Sequence, residues 1–104
     1  MSRYLIANIE VRQAEFGRFA ETMGAMREIL TKAGWALVNS YTMRTGVAGT
    51  VLNIWRLDDL EQIDAGFAAL ALDPRWPTIQ ATLAQVVVRE TVNFADDLGY
   101  PTPA

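Results

Sequence analysis

The sequence predicts an α+β domain whose elements run β-α-β-β-α-β, with one four-stranded antiparallel sheet carrying its helices on a single face. Three observations predict it. Four segments alternate with the two-residue period of strands, and the first and last intervals between them carry apolar residues at spacings of three and four. The middle two strands are joined by a short loop with two glycines, as in a hairpin.

Tyr4 to Arg12 is the first strand, with Leu5, Ala7, Ile9 and Val11 opposed to Tyr4, Ile6, Asn8 and Glu10. From Ala14 to Ala33, Phe16, Phe19, Ala20, Met23, Met26 and Leu30 form the stripe of an amphipathic helix that stops before Gly34, and a stripe of this kind faces a core. Trp35 to Arg44 is the second strand, with Trp35, Leu37, Asn39, Tyr41 and Met43 sharing one parity. Gly46 and Gly49 supply the positive φ that a tight connection needs. That loop is not a phosphate cradle, because no Gly-Lys-Ser/Thr follows and the next element is a strand, not a helix N-terminus.

Val51 to Leu57 is the third strand. Asp58 is placed to cap the following helix, with Glu61 three positions on reaching back, and Leu60, Ile63, Phe67 and Leu70 face inward as far as Leu72. Asp73 with Pro74 in the first helical position restarts a shorter helix to Gln85, with Trp76, Ile79 and Leu83 as its apolar side. Val86 to Phe94, rich in β-branched residues, is the fourth strand. Residues 1–94 thus form one domain, and the aperiodic, proline-bearing residues 95–104 form a tail, free or laid across a partner subunit.

Composition excludes several classes of function. A chain of 104 residues is one domain that buries roughly 65% of its unfolded surface, enough for a core without disulfides or metal. The net charge is −3, with nine basic residues scattered singly, so no stripe exists to neutralise a row of phosphates. No nucleic-acid partner is expected. No apolar run is long enough to span a bilayer and no basic leader precedes one, so a cytoplasmic protein without a membrane partner is expected. The chain has no cysteine and no histidine, which removes triad, thiol and zincin mechanisms. Asp58, Asp59, Glu61 and Asp64 complement a helix dipole and lack calcium-loop spacing. Neither a metal nor a cofactor is expected.

This element order is the split β-α-β, ferredoxin-like arrangement. Both parities of the first three strands carry apolar residues, so the sheet face away from the helices cannot simply be solvated; a homodimer through the sheet faces would cover it. The run Leu52-Asn53-Ile54-Trp55-Arg56-Leu57-Asp58-Asp59-Leu60, followed by Ala68-Ala69-Leu70-Ala71-Leu72-Asp73-Pro74-Arg75-Trp76, resembles the NIPSNAP family of the dimeric α/β-barrel superfamily. In that family a strand reads His-Leu-Trp-x-Tyr-x-Ser/Asp-Leu and a later segment reads Asp-Pro-x-Trp. The resemblance spans about residues 4 to 94 and implies a ferredoxin-like subunit paired into a barrel. Asn53 stands where many relatives carry histidine and Leu57 where they carry tyrosine, so a proton-transfer or haem-ligand role tied to that histidine is not carried over.

Asparagine is disfavoured in strands, yet Asn8, Asn39, Asn53 and Asn93 all sit mid-strand. One explanation is a semi-polar cavity lined by these amides and Thr91, with aromatic walls from Tyr4, Trp35, Tyr41 and Trp55, shaped for a small hydrophobic or aromatic metabolite. The other is that the amides bond one another, water or a dimer partner. Glu10 and Arg89 come near each other because the first and last strands are antiparallel neighbours, either as a structural ion pair or as a general base and an oxyanion clamp with Tyr41 as proton donor. Glu90, on the opposite parity among valines, is read as a structural partner of Arg56 or Arg44, and Trp76 as a plug at the end of the helical layer. Three functions follow: a cofactor-free isomerase, cyclase or monooxygenase, as the resemblance implies; a non-catalytic binding or accessory protein; or a purely structural dimer.

Overall fold

Strand alternation sorts this chain into two sheet faces, and the cross-strand register shows which residues share each one. The computed structural model describes residues 3–103. Its elements are β1 (Arg3–Val11), α1 (Phe16–Lys32) after a 3-10 turn at Gln13–Glu15, β2 (Ala36–Thr42), β3 (Thr50–Leu57), α2 (Glu61–Leu72), α3 (Trp76–Val86) and β4 (Val87–Asp96). The sheet runs β2-β3-β1-β4 with every pair antiparallel, the ferredoxin-like order, so the predicted fold class holds. β4 extends two residues beyond the expected Phe94, to Asp96.

The inner face carries Leu5, Ala7, Ile9 and Val11 of β1 and Val51, Asn53, Trp55 and Leu57 of β3, none more than 6% exposed. Against them pack Phe19, Ile29 and Leu30 of α1, Leu70 of α2 and Ile79 and Val86 of α3. Burying one such side chain contributes about 1.5–3 kcal/mol, which makes this layer the main support of the fold.

Two irregularities interrupt the alternation. In β2 the register slips between Leu37 and Asn39, so Leu37 lies opposite Trp55 while Ser40 lies opposite Asn53 and Thr42 opposite Val51. An extra residue in one strand reverses the parity of everything after it. Asn39 and Tyr41, expected to share a face with Leu37, therefore lie on the outer face opposite Ile54 and Leu52. A second slip in the β1–β4 pairing follows Glu10 and pairs Val11 with Val87.

Helix ends follow their local chemistry. Gly34, at φ +99°, ends α1 by donating from its N–H to Thr31 O at 3.1 Å while the Trp35 N–H donates to Leu30 O at 3.0 Å, the double bond of a Schellman stop. At the start of α2 the cap lies one residue later than expected. Asp59 Oδ1, not Asp58, accepts from the Gln62 N–H at 3.1 Å, and Gln62 Oε1, not Glu61, accepts from the Asp58 N–H at 2.6 Å. Asp59-x-x-Gln62 has the same spacing as Asp58-x-x-Glu61, and Gln62 is the member whose carbonyl the Trp35 indole also holds, at 2.6 Å. Pro74 likewise lies in the turn before α3, not inside it: Asp73 Oδ1 accepts from the Arg75 N–H at 2.8 Å, the helix opens at Trp76, and Pro77 occupies its first turn. In the β2–β3 loop, Gly49 at φ +80° brings its carbonyl to the Val11 N–H at 2.9 Å, and a Cβ there would meet Val11 O at 2.5 Å.

Candidate functional site

The layer between helices and sheet is not filled. A hollow of about 530 Å³ lies against the inner face, within the ~300–1,000 Å³ that small-molecule sites occupy. Its sheet side is Leu5, Ala7, Ile9 and Trp55; α1 contributes Phe19, Met23, Met26 and Leu30, α2 contributes Phe67 and Leu70, and α3 contributes Trp76 and Leu83. On that face of β1, Ala7 presents the smallest side chain, between Leu5 and Ile9.

Aromatic groups hold one wall. Trp35 stands edge-on to both Trp55 and Phe67, with ring centroids 5.6 Å apart and planes inclined at 72° in each case, the geometry that the ring quadrupoles favour. The Trp35 indole N–H is spent on Gln62 O, which ties the position of the ring to α2.

Two polar side chains reach this apolar space. Asn53, 3% exposed, is the sole buried polar side chain among the described residues, and its Oδ1 accepts from Ser40 Oγ at 2.7 Å. The β2 bulge makes that bond by turning Ser40 inward. Glu90, opposite Ile9 on β4, also lines the hollow, and partial withdrawal from water pushes its carboxyl above the ordinary carboxylate range. It has no cation within 4.0 Å among the described residues. The expected pairing with Arg56 fails because Arg56 lies on the other face, opposite Tyr4 and Ala36. Trp76, expected to plug the helical layer, lines the hollow instead.

The residues singled out from the sequence divide between the two faces. Trp35, Asn53 and Trp55 line the inner hollow. Tyr4, Asn8, Glu10, Asn39, Tyr41, Arg89, Thr91 and Asn93 lie on the outer face, so the single cavity expected from shared parity is not formed within one chain. Glu10 and Arg89 are direct cross-strand partners, as expected from topology, and share a shallow polar cleft of about 140 Å³ with Asn8, Thr91 and Thr50. No ion pair within 4.0 Å joins them. On the same face Ile6, Leu52 and Ile54 are half-buried and uncovered by any helix.

Sequence reasoning missed Glu90 and Trp76 as lining residues. The signal for Glu90 was its place in register with Ile9, a core position of β1; only the pairing of β1 with β4 reveals it. Among the described residues no group of three acidic side chains is disposed to hold a metal ion, and no helix is long and apolar enough to cross a membrane.

No protein-family model matches this sequence, and no curated protein matches it. Solved structures match its fold. An uncharacterised NIPSNAP-domain protein from Burkholderia xenovorans has a TM-score of 0.79 and 17% identity, over 97% of this chain and 99% of its own. A NIPSNAP family protein from Agrobacterium tumefaciens has a TM-score of 0.80 and 14% identity, over 96% of both chains. A candidate antibiotic biosynthesis monooxygenase from Nitrosomonas europaea has a TM-score of 0.74 and 13% identity, over 98% of this chain and 94% of its own.

Proposed function

We propose that this chain, which has the ferredoxin-like fold of NIPSNAP-domain proteins, binds a small hydrophobic or aromatic metabolite in the hollow between its helices and its sheet. The observation that carries this reading is the combination of about 530 Å³ of apolar, tryptophan-walled space with one buried amide, Asn53. An amide with a single partner in an apolar wall is a poor choice for packing and a good one for orienting a ligand that brings its own polar atom. The ligand's apolar body would stack against Trp55 and Phe67, and its polar atom would meet the Asn53 carboxamide.

A catalytic use of the same hollow has one specific observation in its favour. Glu90 is the titratable group that faces it, and its raised pKa suits a carboxyl that exchanges a proton with substrate nearer neutrality. This supports cofactor-free isomerisation, cyclisation or oxygenation, with Glu90 as acid or base and Asn53 as the positioning amide. The Glu10–Arg89 pair, with Tyr41 on the same face, belongs in this reading to the surface that meets a second copy. Pairing of two sheets through Ile6, Leu52 and Ile54 would cover the half-buried outer face and give a homodimer.

Asn53→Leu tests the binding reading. The variant keeps the fold, because an amide is exchanged for a side chain of similar volume that suits the apolar wall, and it loses ligand. Native mass spectrometry of both proteins against a library of small aromatic metabolites measures it. Uptake by the wild type and loss in the variant is the expected result; no uptake by the wild type, or equal uptake by both with unchanged stability, rejects the reading.

A further inference from the structure

Beside the inner hollow lies a second one, a groove of about 290 Å³ between α1 and the edge strand β2. The two share Phe19, Met23 and Asn53 as common lining, so they lie side by side with these three side chains between them. Of the three, Met23 is half-buried and conformationally adaptable, and an elongated molecule that displaced it would span the hollow and the groove. The groove lining contains one charged residue, Arg27.

Arg27 differs from other cations of the helical layer. Arg18 is bonded to Glu15 and Gln85, Lys32 lies near Glu28, and Arg75 is held by Asp73 and Glu28. Arg27 has no carboxylate within 4.0 Å among the described residues. Its neighbours one turn away along α1 are Met23, Gly24, Leu30 and Thr31, none of which can neutralise it. One turn before it, Gly24 also lines the groove, and a Cβ there would meet nothing within 4 Å. Packing therefore does not require glycine at a mid-helix position where it costs about 1 kcal/mol relative to alanine. Its effect is to leave the groove floor open next to the guanidinium.

Charge then orients the occupant. The inner hollow offers the Glu90 carboxyl and no cation, so an anionic group placed there would be both desolvated and repelled. At the groove the same group meets an unpaired guanidinium on an exposed residue, a group able to give a carboxylate two parallel hydrogen bonds. We propose that the ligand is an apolar or aromatic carboxylic acid, its body in the inner hollow and its carboxylate on Arg27. The groove sets one cation, Arg27, against the ligand, which matches the single charge of a carboxylate and not the nearly double charge of a phosphate monoester. This rests on the binding reading above and adds to it the ligand's chemical class and its direction.

The test compares 1-pyrenebutyrate with its methyl ester, titrated against wild type and Arg27→Met and read by energy transfer from the protein's tryptophans to pyrene. A charge-assisted pair predicts that the wild type binds the acid on the order of tenfold more tightly than the ester. Arg27→Met is expected to bring the acid to within about twofold of the ester while the fold is kept, because Arg27 is an exposed helical residue. If wild type binds acid and ester equally, or Arg27→Met binds the acid as tightly as wild type, the carboxylate assignment is overturned while the hollow remains a binding site. If neither probe binds wild type, the assignment falls together with the binding reading.

Discussion

Replacing Gly66 by alanine should be more damaging than its size suggests. Gly66 lies in α2 directly over Trp35, and a Cβ built there falls inside van der Waals contact with the indole, 2.7 Å from Cζ2 and closer still to Nε1 and Cε2. Both sides are fixed: the glycine is on a helix backbone and the indole is 3% exposed, wedged between Trp55 and Phe67. The ring must move, and in moving it gives up its bond to Gln62 O at 2.6 Å. Overpacking of this kind costs about 1–3 kcal/mol. Stranding a buried N–H costs about 1–3 kcal/mol more. Alanine's better helix propensity returns about 1 kcal/mol. The net is a loss of about 3 kcal/mol, a large share of the ~5–15 kcal/mol that holds a domain together, and on the order of 10–20 °C in Tm. Gly24→Ala is the internal control, because that Cβ meets nothing and the helix term acts alone, for a gain of about 1 kcal/mol. Urea unfolding followed by tryptophan fluorescence and far-ultraviolet circular dichroism measures both. If Gly66→Ala is as stable as wild type, or moves in the same direction as Gly24→Ala, the tight seating of Trp35 under α2 is wrong.

Two further outcomes are expected. Glu90 has a folded-state pKa above its unfolded one, so its contribution is fully present below the ordinary value of 4.5 and is lost as pH rises through the folded pKa. Glu90→Gln removes that loss, so the urea midpoints of variant and wild type should separate in the variant's favour over this window; midpoints that stay parallel from pH 4 to 8 would show that the carboxyl does not feel the hollow. Ile54→Lys places a charge at the centre of the outer face, between Ile6 of β1 and Asn39 of β2. Sedimentation velocity should then show a dimeric wild type and a monomeric, folded variant, and a wild type that sediments as a monomer at all concentrations would refute sheet pairing.

The local elements were legible because each is written in nearby residues. Gly34 ends α1 where the amphipathic stripe stops, and the four strands appear where alternation and β-branched residues predict them. The cap of α2 was legible to within one residue: two acid-x-x-acceptor frames overlap at Asp58 to Gln62, and the choice between them depends on where α2 docks, which the bond from Trp35 to Gln62 helps set. The candidate site was legible only in pieces. Trp35, Asn53 and Trp55 were singled out and do line the hollow, whereas Asn39 and Tyr41 were joined to them by a parity that the β2 bulge reverses.

Periodicity, glycine placement and the absence of histidine and cysteine determined by themselves that this is a β-α-β-β-α-β protein without thiol, triad or histidine chemistry. Those properties depend on residues close in sequence or on composition. Which strand residues share the inner face with α1, α2 and α3, and hence that Glu90 and Trp76 join Asn53 around one hollow, was decided by tertiary structure alone. Side-chain period specifies alternation within a strand and says nothing of its phase relative to a neighbour, so a single unpaired residue in β2 was enough to send two candidates to the other side of the sheet.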